Sequence, residues 1–398
     1  MTREVVLVAG CRTAQGTFGG TLRNVPAYQL AVATIVDVIR RAGVDANVVD
    51  TVVAGQVYQS SEALNIGRFC ALEAGLPFTI TGSGVNVACC SSLEAINIAA
   101  RDIACGDSDA AIAVGVESMS TAPFRVVGHR WGTRRGNSEI VDQFDESTWS
   151  ASTYRYGRFS MGMAADHVAK VYCLSRGEQD EYALRSHTLA VQAIDKGLFV
   201  EEIVPFTVKR SRCDVVFAQD EHPRRDTTLA SLAQLHPVFV EDGGTVTAGS
   251  SSGVSDGAAA VLMTSGETAA ELGLKPIAKV RSTARVGVDP RLLCMSPGPA
   301  GRAAVERAGL KIPDIGWWEI NEAFSSVVLS SCKELGIGLE RVNPMGGGIA
   351  LGHPVGCSGA RTIVTMMHAM RRIGVKYGVA TVGGGGGIGT ATAIELCD

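Results

Sequence analysis

The amino-acid sequence predicts an α/β protein built from two similar halves, with a large insertion carried by the first half. Two stretches, 84–120 and 346–389, follow the same order: a short β-branched or apolar run, a tight turn, an Ala-rich helix and an apolar strand. Strand, turn, helix and strand in succession are typical of βαβ units, and their repetition indicates a duplicated core. A chain of 398 residues is long enough to bury such a core.

The first half is predicted over residues 1–120 together with 251–270, and the second over 271–398. In the first half we expect a strand at the N-terminus, a helix with one apolar face and a strand over 110–116; that face carries Leu93, Ile96, Ala99 and Ile103. A strand over 258–263 returns to this half. In the second half we expect a helix over 358–371, with Ser358 as its N-cap, and a strand over 377–382.

Residues 121–250 have a different character. They are richer in charged and aromatic residues, as in FRVVGHRWGTRRGN, and include the helix-like stretch SRGEQDEYALRSHTLAVQAIDKG. Insertions of this size in α/β enzymes often cover a substrate site. We therefore expect an inserted loop domain that takes part in binding.

Composition argues against several classes of protein. The net charge of −4 and the absence of a basic block give no footprint for nucleic acid. No run approaches the roughly 18 apolar residues of a membrane span, and the N-terminus lacks the pattern of a signal peptide. The eleven cysteines show neither disulfide-framework nor CxxC spacing, which favours reduced thiols in a cytoplasm and no metal site.

Cys89 and Cys90 lie where the first repeat passes from strand to helix. A thiol at a helix N-terminus is close to unpaired N–H groups and the positive end of the helix dipole, which favour the thiolate. A buried cysteine is otherwise a small apolar side chain. Position favours a nucleophile here, but spacing alone leaves both interpretations open.

Two further residues suggest chemistry. His353 lies between Gly352 and Pro354 in a rigid turn, which suits a fixed general base more than a core or solvated histidine. Asn321 stands among apolar neighbours, where its amide either caps the local backbone or holds a water at a reacting centre. The Ser/Gly loop TAGSSSGVSDG is either a turn or a set of hydroxyls for a polar, chain-like ligand.

The stretch VATVGGGGGIGT at 379–390 could be a phosphate loop, a linker or a strand end stripped of side chains. It contains no GxxxxGK[ST] pattern, and no Lys or Asp follows where a nucleotide site needs one. The phosphate-loop interpretation is therefore weak, and the linker and strand-end interpretations stay open at this point.

Together these motifs resemble the thiolases, the acyl-CoA C-acyltransferases. The resemblance rests on VNVACCSS, NEAF, GGGIALGHPVGCSGAR and the Gly-rich strand end, and it extends over nearly the whole chain. Further family-like segments, in family order, are VESMSTAP (116–123), MGMAADHVAK (161–170), SRGEQDEYALRSH (175–187), RRDTTLASLAQLHPVF (224–239) and TAGSSSGVSDGAAA (247–260). The resemblance implies a duplicated five-layered αβαβα fold.

It also implies roles for individual residues. Cys89 is the nucleophile that takes the acyl group, His353 activates Cys89 or the CoA thiol, and Asn321 positions a water. The backbone N–H groups of Cys89 and Gly385 form an oxyanion hole. Substrate and CoA contacts are implied for Ser252, Arg224, Ala248, Gly249, Met161, Phe324 and Gly383. Acyl-CoA and CoA are then the substrates, with no bound cofactor or metal, in a homodimer or tetramer, with an accessory subunit as a further option.

Two positions depart from the family pattern. Gly383 stands where thiolases usually place the cysteine that moves the proton at the α-carbon, and Ser160 stands where a histidine is common. Both changes predict a wider pocket and a bulky, branched or aromatic substrate, of which benzoylsuccinyl-CoA is one example. Cys90 and Cys357 are candidate replacement thiols. The alternatives are a standard acetyl-CoA acetyltransferase and a CoA-binding subunit without Claisen activity; a ketosynthase-type enzyme is disfavoured by the NEAF asparagine.

Overall fold

The fold is mixed α/β, as predicted, and its core consists of two similar halves. It was analysed in a computed structural model, which describes residues 3–211 and 213–397, so that the outermost ends of the two predicted halves, residues 1, 2 and 398, lie outside the described residues. The strands are β1 (Val5–Thr13), β2 (Gly16–Thr17), β3 (Thr51–Gly55), β4 (Thr81–Val85), β5 (Ala110–Ser118), β6 (Phe124–Val126), β7 (Ile140–Asp142), β8 (Ile203–Val204), β9 (Phe206–Val208), β10 (Val215–Phe217), β11 (Ser255–Ser265), β12 (Ala278–Gly287), β13 (Trp317–Ile320), β14 (Tyr377–Gly384) and β15 (Ile388–Leu396).

The helices follow the strands in alternation through both halves. They are α1 (Ala27–Ala42), α2 (Ile66–Glu73), α3 (Ser91–Cys105), α4 (Gln143–Thr148), α5 (Met161–Val171), α6 (Arg176–Asp195), α7 (Leu229–Ala233), α8 (Gly266–Glu271), α9 (Pro297–Arg307), α10 (Ser325–Leu335), α11 (Gly348–Leu351) and α12 (Ser358–Ile373).

One large sheet carries the duplication. Its strand order is β13-β14-β15-β12-β1-β11-β5-β3-β4. In the first half β1 and β5 flank β11 antiparallel and β3 runs parallel to β5; in the second, β12 and β14 flank β15 antiparallel and β13 runs parallel to β14. The halves meet where Val6 and Leu7 pair with Lys279 and Ala278.

The two halves of the sheet lie on either side of α3 and α12, and with α1 and α9 on their outer faces the elements stack in five layers. Helices α3 and α12 pack against each other, and each contacts strands of both halves, so they form the middle layer. Helix α1 covers the outer face of β1, β5 and β11, and α9 covers the matching strands of the second half. Of the predicted apolar face of α3, Leu93, Ile96, Ala99 and Ile103 are all fully buried. The predicted strand over 110–116 lies in β5 and the predicted return strand over 258–263 lies in β11.

The N-cap prediction for α12 was wrong. Ser358 is the first residue of the helix, and the N-cap is Cys357, whose side chain makes no capping bond. The Ser358 hydroxyl instead contacts His353, and its place in the first turn aims it at the turn that precedes the helix. The three-part division of the chain, with 121–250 as an insertion, stays a prediction.

Candidate active site

The predicted functional motifs meet around one cavity between the two halves. The parallel strands β3 and β4 lead to residues 56–58 and 86–90, and the parallel strands β13 and β14 lead to Asn321 and Gly385. Within each pair the carboxyl ends lie side by side, and the two pairs approach each other where Sγ of Cys90 lies 3.2 Å from the carbonyl oxygen of Val382. A cavity of about 420 Å³ opens there, and its lining includes Cys89, His353, Gly385, Ser252, Met161 and Phe324.

Cys89 lies in a tight turn between β4 and α3. Ala88, directly before it, has a φ of 49°, in the left-handed region that costs a non-glycine residue free energy. Cys90 and Ser91 donate their N–H groups to the carbonyls of Val87 and Ala88, at 3.1 and 3.0 Å. This strained turn presents the Cys89 thiol to the cavity.

The Cys89 thiol is neutral at rest, contrary to the thiolate expected from the helix N-terminus. Burial raises the pKa of Cys89 to about 12; the nearby Glu117 carboxyl group acts in the same direction and the backbone N–H of Cys89 in the opposite one. Loss of solvation outweighs the helix terminus in this partly exposed turn. The nucleophile therefore needs a base to take its proton.

His353 can act as that base. Its Nδ1 lies 2.5 Å from the Ser358 hydroxyl oxygen, which itself donates to the carbonyl of Pro354 at 3.0 Å. Because the hydroxyl has one proton and gives it to a carbonyl, Nδ1 must be the donor toward Ser358. Nε2 then carries a lone pair, and burial, with Arg361 second, lowers the pKa of His353 to about 3.

The side chain of Asn321 lies beside the His353 ring. Its Nδ2 lies 3.4 Å from Nε2 of His353, and its Oδ1 is buried without a hydrogen-bond partner among the described residues. It does not cap α10, whose N-cap is Phe324. Of the two roles left open by the sequence, the helix-cap role is excluded for α10, and the amide faces His353.

The glycine run forms the turn between β14 and β15. Gly386 and Gly387 have φ values of 80° and 82°, which other residues rarely adopt. Gly386 donates its N–H to the carbonyl of Ala151 at 2.9 Å, which fixes the turn to the 121–250 segment. Gly385, the first residue of this turn, lines the cavity.

Gly383 does not widen the cavity, and this expectation was wrong. It is absent from the cavity lining, and a Cβ added there would lie 2.7 Å from Oγ of Ser296 and 3.0 Å from Cδ of Pro297. The space beside Gly383 is filled by a separate segment of the chain.

The two candidate replacement thiols also lie outside the cavity lining. Sγ of Cys90 is 3.2 Å from the carbonyl oxygen of Val382 in the core, and Cys357 is buried under the start of α12. Burial raises the pKa of Cys357 to about 12.

Arg224, Ala248 and Gly249 lie together in a second cavity of about 220 Å³. Ser251 lines both cavities, so the second continues the first away from Cys89. The Ser252 N–H donates to the carbonyl of Ala323 at 3.0 Å, which joins the Ser/Gly loop to the NEAF segment. The arrangement suits an extended ligand whose reactive end reaches Cys89.

Sequence reasoning missed three residues of the site. Tyr58 and Ser147 line the cavity with their hydroxyl oxygens 2.7 Å apart. The buried Glu117 carboxylate accepts the N–H groups of Val57, Tyr58 and Gly356 at 2.9, 3.2 and 3.0 Å. The position of Tyr58 just after β3, parallel to the strand before Cys89, was the signal that could have found it.

Chemically, the cavity suits acyl transfer through a thiol. Cys89 and His353 line the same cavity, and a thiol that shares a site with an imidazole base is the arrangement that nucleophilic catalysis by cysteine requires. Within residues 3–211 and 213–397 no group of His, Cys, Asp and Glu side chains could hold a metal ion. No helix in the same part of the chain is long and apolar enough to cross a membrane.

Comparison with known proteins gives consistent results. A model of the thiolase N-terminal domain matches residues 5–267, and one of the thiolase C-terminal domain matches residues 274–396. The chain is 46% identical over 397 residues to an acetyl-CoA acetyltransferase of Syntrophomonas wolfei, covering 99% of this chain and 100% of the relative. It is 43% identical to the beta-ketothiolase BktB of Cupriavidus necator, covering 99% and 100%.

A solved structure shows the same fold. The crystal structure of the Bacillus anthracis acetyl-CoA acetyltransferase superimposes with a TM-score of 0.95 at 42% identity, covering 100% of this chain and 99% of that one.

Proposed function

The chain belongs to the thiolase family of acyltransferases, has the thiolase fold, and on that premise we propose that it cleaves a 3-oxoacyl-CoA with CoA through an acyl-Cys89 intermediate. The reverse Claisen condensation uses the same groups. The observation that carries the proposal is the meeting of Cys89, His353 and the Gly385 turn around one cavity.

In the proposed reaction His353 takes the Cys89 proton while sulfur attacks the 3-oxo carbon. Backbone N–H groups of Cys89 and Gly385 stabilise the oxyanion, and Asn321 holds a water that serves the second carbonyl. Each hydrogen-bond donor that points at the negative charge developing on the carbonyl oxygen accelerates the reaction by a factor on the order of 100. The CoA thiol then attacks acyl-Cys89, with His353 again as base.

CoA is proposed to extend from Ser252 into the second cavity, toward Arg224, Ala248 and Gly249. The acyl group is proposed to lie against Met161 and Phe324. Ser160 also lines the cavity, and a small side chain there supports a bulky, branched or aromatic acyl group such as that of benzoylsuccinyl-CoA. That preference now rests on Ser160 alone, because Gly383 adds no room.

A standard acetyl-CoA acetyltransferase is the second candidate, favoured by the names of the relatives in Syntrophomonas wolfei and Bacillus anthracis. A cytoplasmic homodimer or tetramer without a bound cofactor, with an accessory subunit as an option, completes the proposal. The cytoplasmic location is supported by the eleven cysteines, which are free where described.

The test is a panel of 3-oxoacyl-CoA esters incubated with CoA, with loss of enolate absorbance as the readout. The panel includes acetoacetyl-CoA, a branched ester and an aromatic ester, and Cys89→Ala is the control. Faster cleavage of the bulky esters supports the substrate proposal, and a preference for acetoacetyl-CoA supports the second candidate. If the wild-type protein cleaves no ester of the panel, the proposed thiolase activity is refuted.

A further inference from the structure

We propose that Tyr58 is the catalytic acid and base that moves the proton at the α-carbon of the acyl-CoA that leaves or attacks. The inference rests on the proposed thiolase reaction. It concerns one proton that Cys89 and His353 do not handle, because His353 already holds the Cys89 proton when the carbanion forms. Thiolases usually use a cysteine for this step, and Gly383 stands at that position.

The cavity lining leaves few groups for this task. Among the described residues that line it, the side chains with a titratable proton are Tyr58, Cys89, Asp145 and His353. Cys89 carries the acyl group, and Asp145 is exposed to solvent at the rim, whereas Tyr58 is buried. The hydroxyl of Ser296, beside Gly383, is buried outside the lining and bonded to the carbonyls of Leu293 and Ile388 at 2.7 and 3.0 Å.

Tyr58 is held in place by the active-site scaffold. Its side chain is 6% exposed, its hydroxyl lies 2.7 Å from that of Ser147, and its ring packs edge-on against Phe144 at 6.1 Å. The Glu117 carboxylate binds the N–H of Tyr58 and the N–H of Gly356, three residues after His353. One buried group therefore fixes the backbones that carry both Tyr58 and His353, and Glu117 is a positioning residue.

The step balances without an oxidant or reductant. In the cleavage direction the Cys89 sulfur bonds to C3 and the C2–C3 bond breaks, leaving its electron pair on C2 as the thioester enolate. The Tyr58 hydroxyl gives its proton to C2. The resulting phenolate recovers a proton from protonated His353 through solvent, so the net transfer is from the Cys89 thiol to C2. Condensation runs the same steps in reverse.

Two exchange reactions of acetyl-CoA separate this role from acyl transfer. Exchange of the acetyl group with isotopically labelled CoA needs Cys89 and His353 but no α-proton transfer. Exchange of the methyl protons in D₂O, followed by NMR, needs the α-proton group. In Tyr58→Phe, which removes only the hydroxyl, we expect acetyl exchange within a few-fold of the wild-type rate and methyl-proton exchange lower by about 100-fold or more.

The matched control is Tyr28→Phe. Tyr28 lies outside the cavity, with its ring against Phe69 at 5.2 Å, and both exchange rates should stay at their wild-type values. Equal melting temperatures and equal iodoacetamide labelling of Cys89 establish that Tyr58→Phe is folded. Methyl-proton exchange at the wild-type rate in Tyr58→Phe overturns the proposal and assigns the step to His353.

The remaining outcomes distinguish the two proposals. Wild-type enzyme that exchanges acetyl groups but not methyl protons has no α-proton step, which overturns the role of Tyr58 and leaves acyl transfer standing. Wild-type enzyme that exchanges neither refutes the thiolase function, and the role of Tyr58 falls with it.

Discussion

Replacing Gly383 by cysteine, the side chain that the family resemblance implies at this position, should destabilise this protein. The added Cβ would lie 2.7 Å from Oγ of Ser296 and 3.0 and 3.1 Å from Cδ and Cγ of Pro297. The backbone at Gly383 is not in the left-handed region, so the clash, and not strain in φ, is the cause.

The magnitude follows from what must move. Ser296 is fully buried and bonded to two carbonyls, so turning its side chain away sacrifices about 1 kcal/mol of hydrogen bonding. Pro297, at the start of α9, has little freedom to shift. With the overpacking of a filled core added, we expect Gly383→Cys to lower the free energy of unfolding by about 2–3 kcal/mol.

The assay is a denaturant titration followed by circular dichroism, with four variants. Gly287→Cys is the matched control, because a Cβ there meets nothing within 4 Å, and it should stay within about 0.5 kcal/mol of wild type. Ser296→Gly removes the closest obstacle, so the double variant Ser296→Gly/Gly383→Cys should be more stable than the sum of the single changes by about 1–2 kcal/mol. If Gly383→Cys is as stable as Gly287→Cys, or the two changes are additive, the packing argument is wrong.

Three further predictions concern titration and a buried ion pair. Because burial raises the pKa of Cys89 to about 12, its alkylation by iodoacetamide should accelerate steadily from pH 7 to 9.5, and a plateau below pH 9 would contradict this. The pKa of His353 is lowered from 6.5 to about 3 in the fold, so between these pH values the unfolded chain binds a proton that the native chain does not. The free energy of unfolding should therefore fall by up to about 1.4 kcal/mol per pH unit as the pH drops from 6.5 toward 3. His353→Asn should show a shallower fall with pH, and an equal fall in both proteins would refute the lowered pKa. Arg12 is fully buried and bonded to Glu202 and Asp220 at 2.5 and 2.7 Å, so Arg12→Met should cost about 3–5 kcal/mol in the same denaturant titration, and a loss under 1 kcal/mol would show that the two carboxylates find other partners.

Local pattern was sufficient for much of the fold. The apolar face of α3, the strands β5 and β14 and the strand end before Gly385 were all predicted, because helix and strand periodicity depends on neighbours in sequence. Cys89, His353 and Asn321 were singled out because each stands in a short motif, and the resemblance to the thiolases, not the motif alone, implied their roles. The prediction of Ser358 as the N-cap of α12 was wrong because its hydroxyl bonds to His353, a contact that the capping preference of serine does not take into account.

The rest depended on contacts between distant segments. The missing side chain at Gly383 predicted a wider pocket, yet Ser296 and Pro297 fill that space, since packing in a core is decided by whichever segment lies opposite. Likewise, burial raises the pKa of Cys89, although its position at a helix N-terminus predicts a lowered one.

The sequence by itself determined the duplicated α/β class and the family, because periodicity and short motifs carry both, and the family resemblance implied roles for Cys89, His353 and Asn321. Only the tertiary structure decided that Tyr58, from the end of one parallel strand, shares a cavity with Cys89 and His353, and that Glu117 ties their backbones together. The physical reason is that β3 and β4 are parallel neighbours whose carboxyl ends lie together, whereas His353 comes from a turn of the other half that only packing between the halves brings to them.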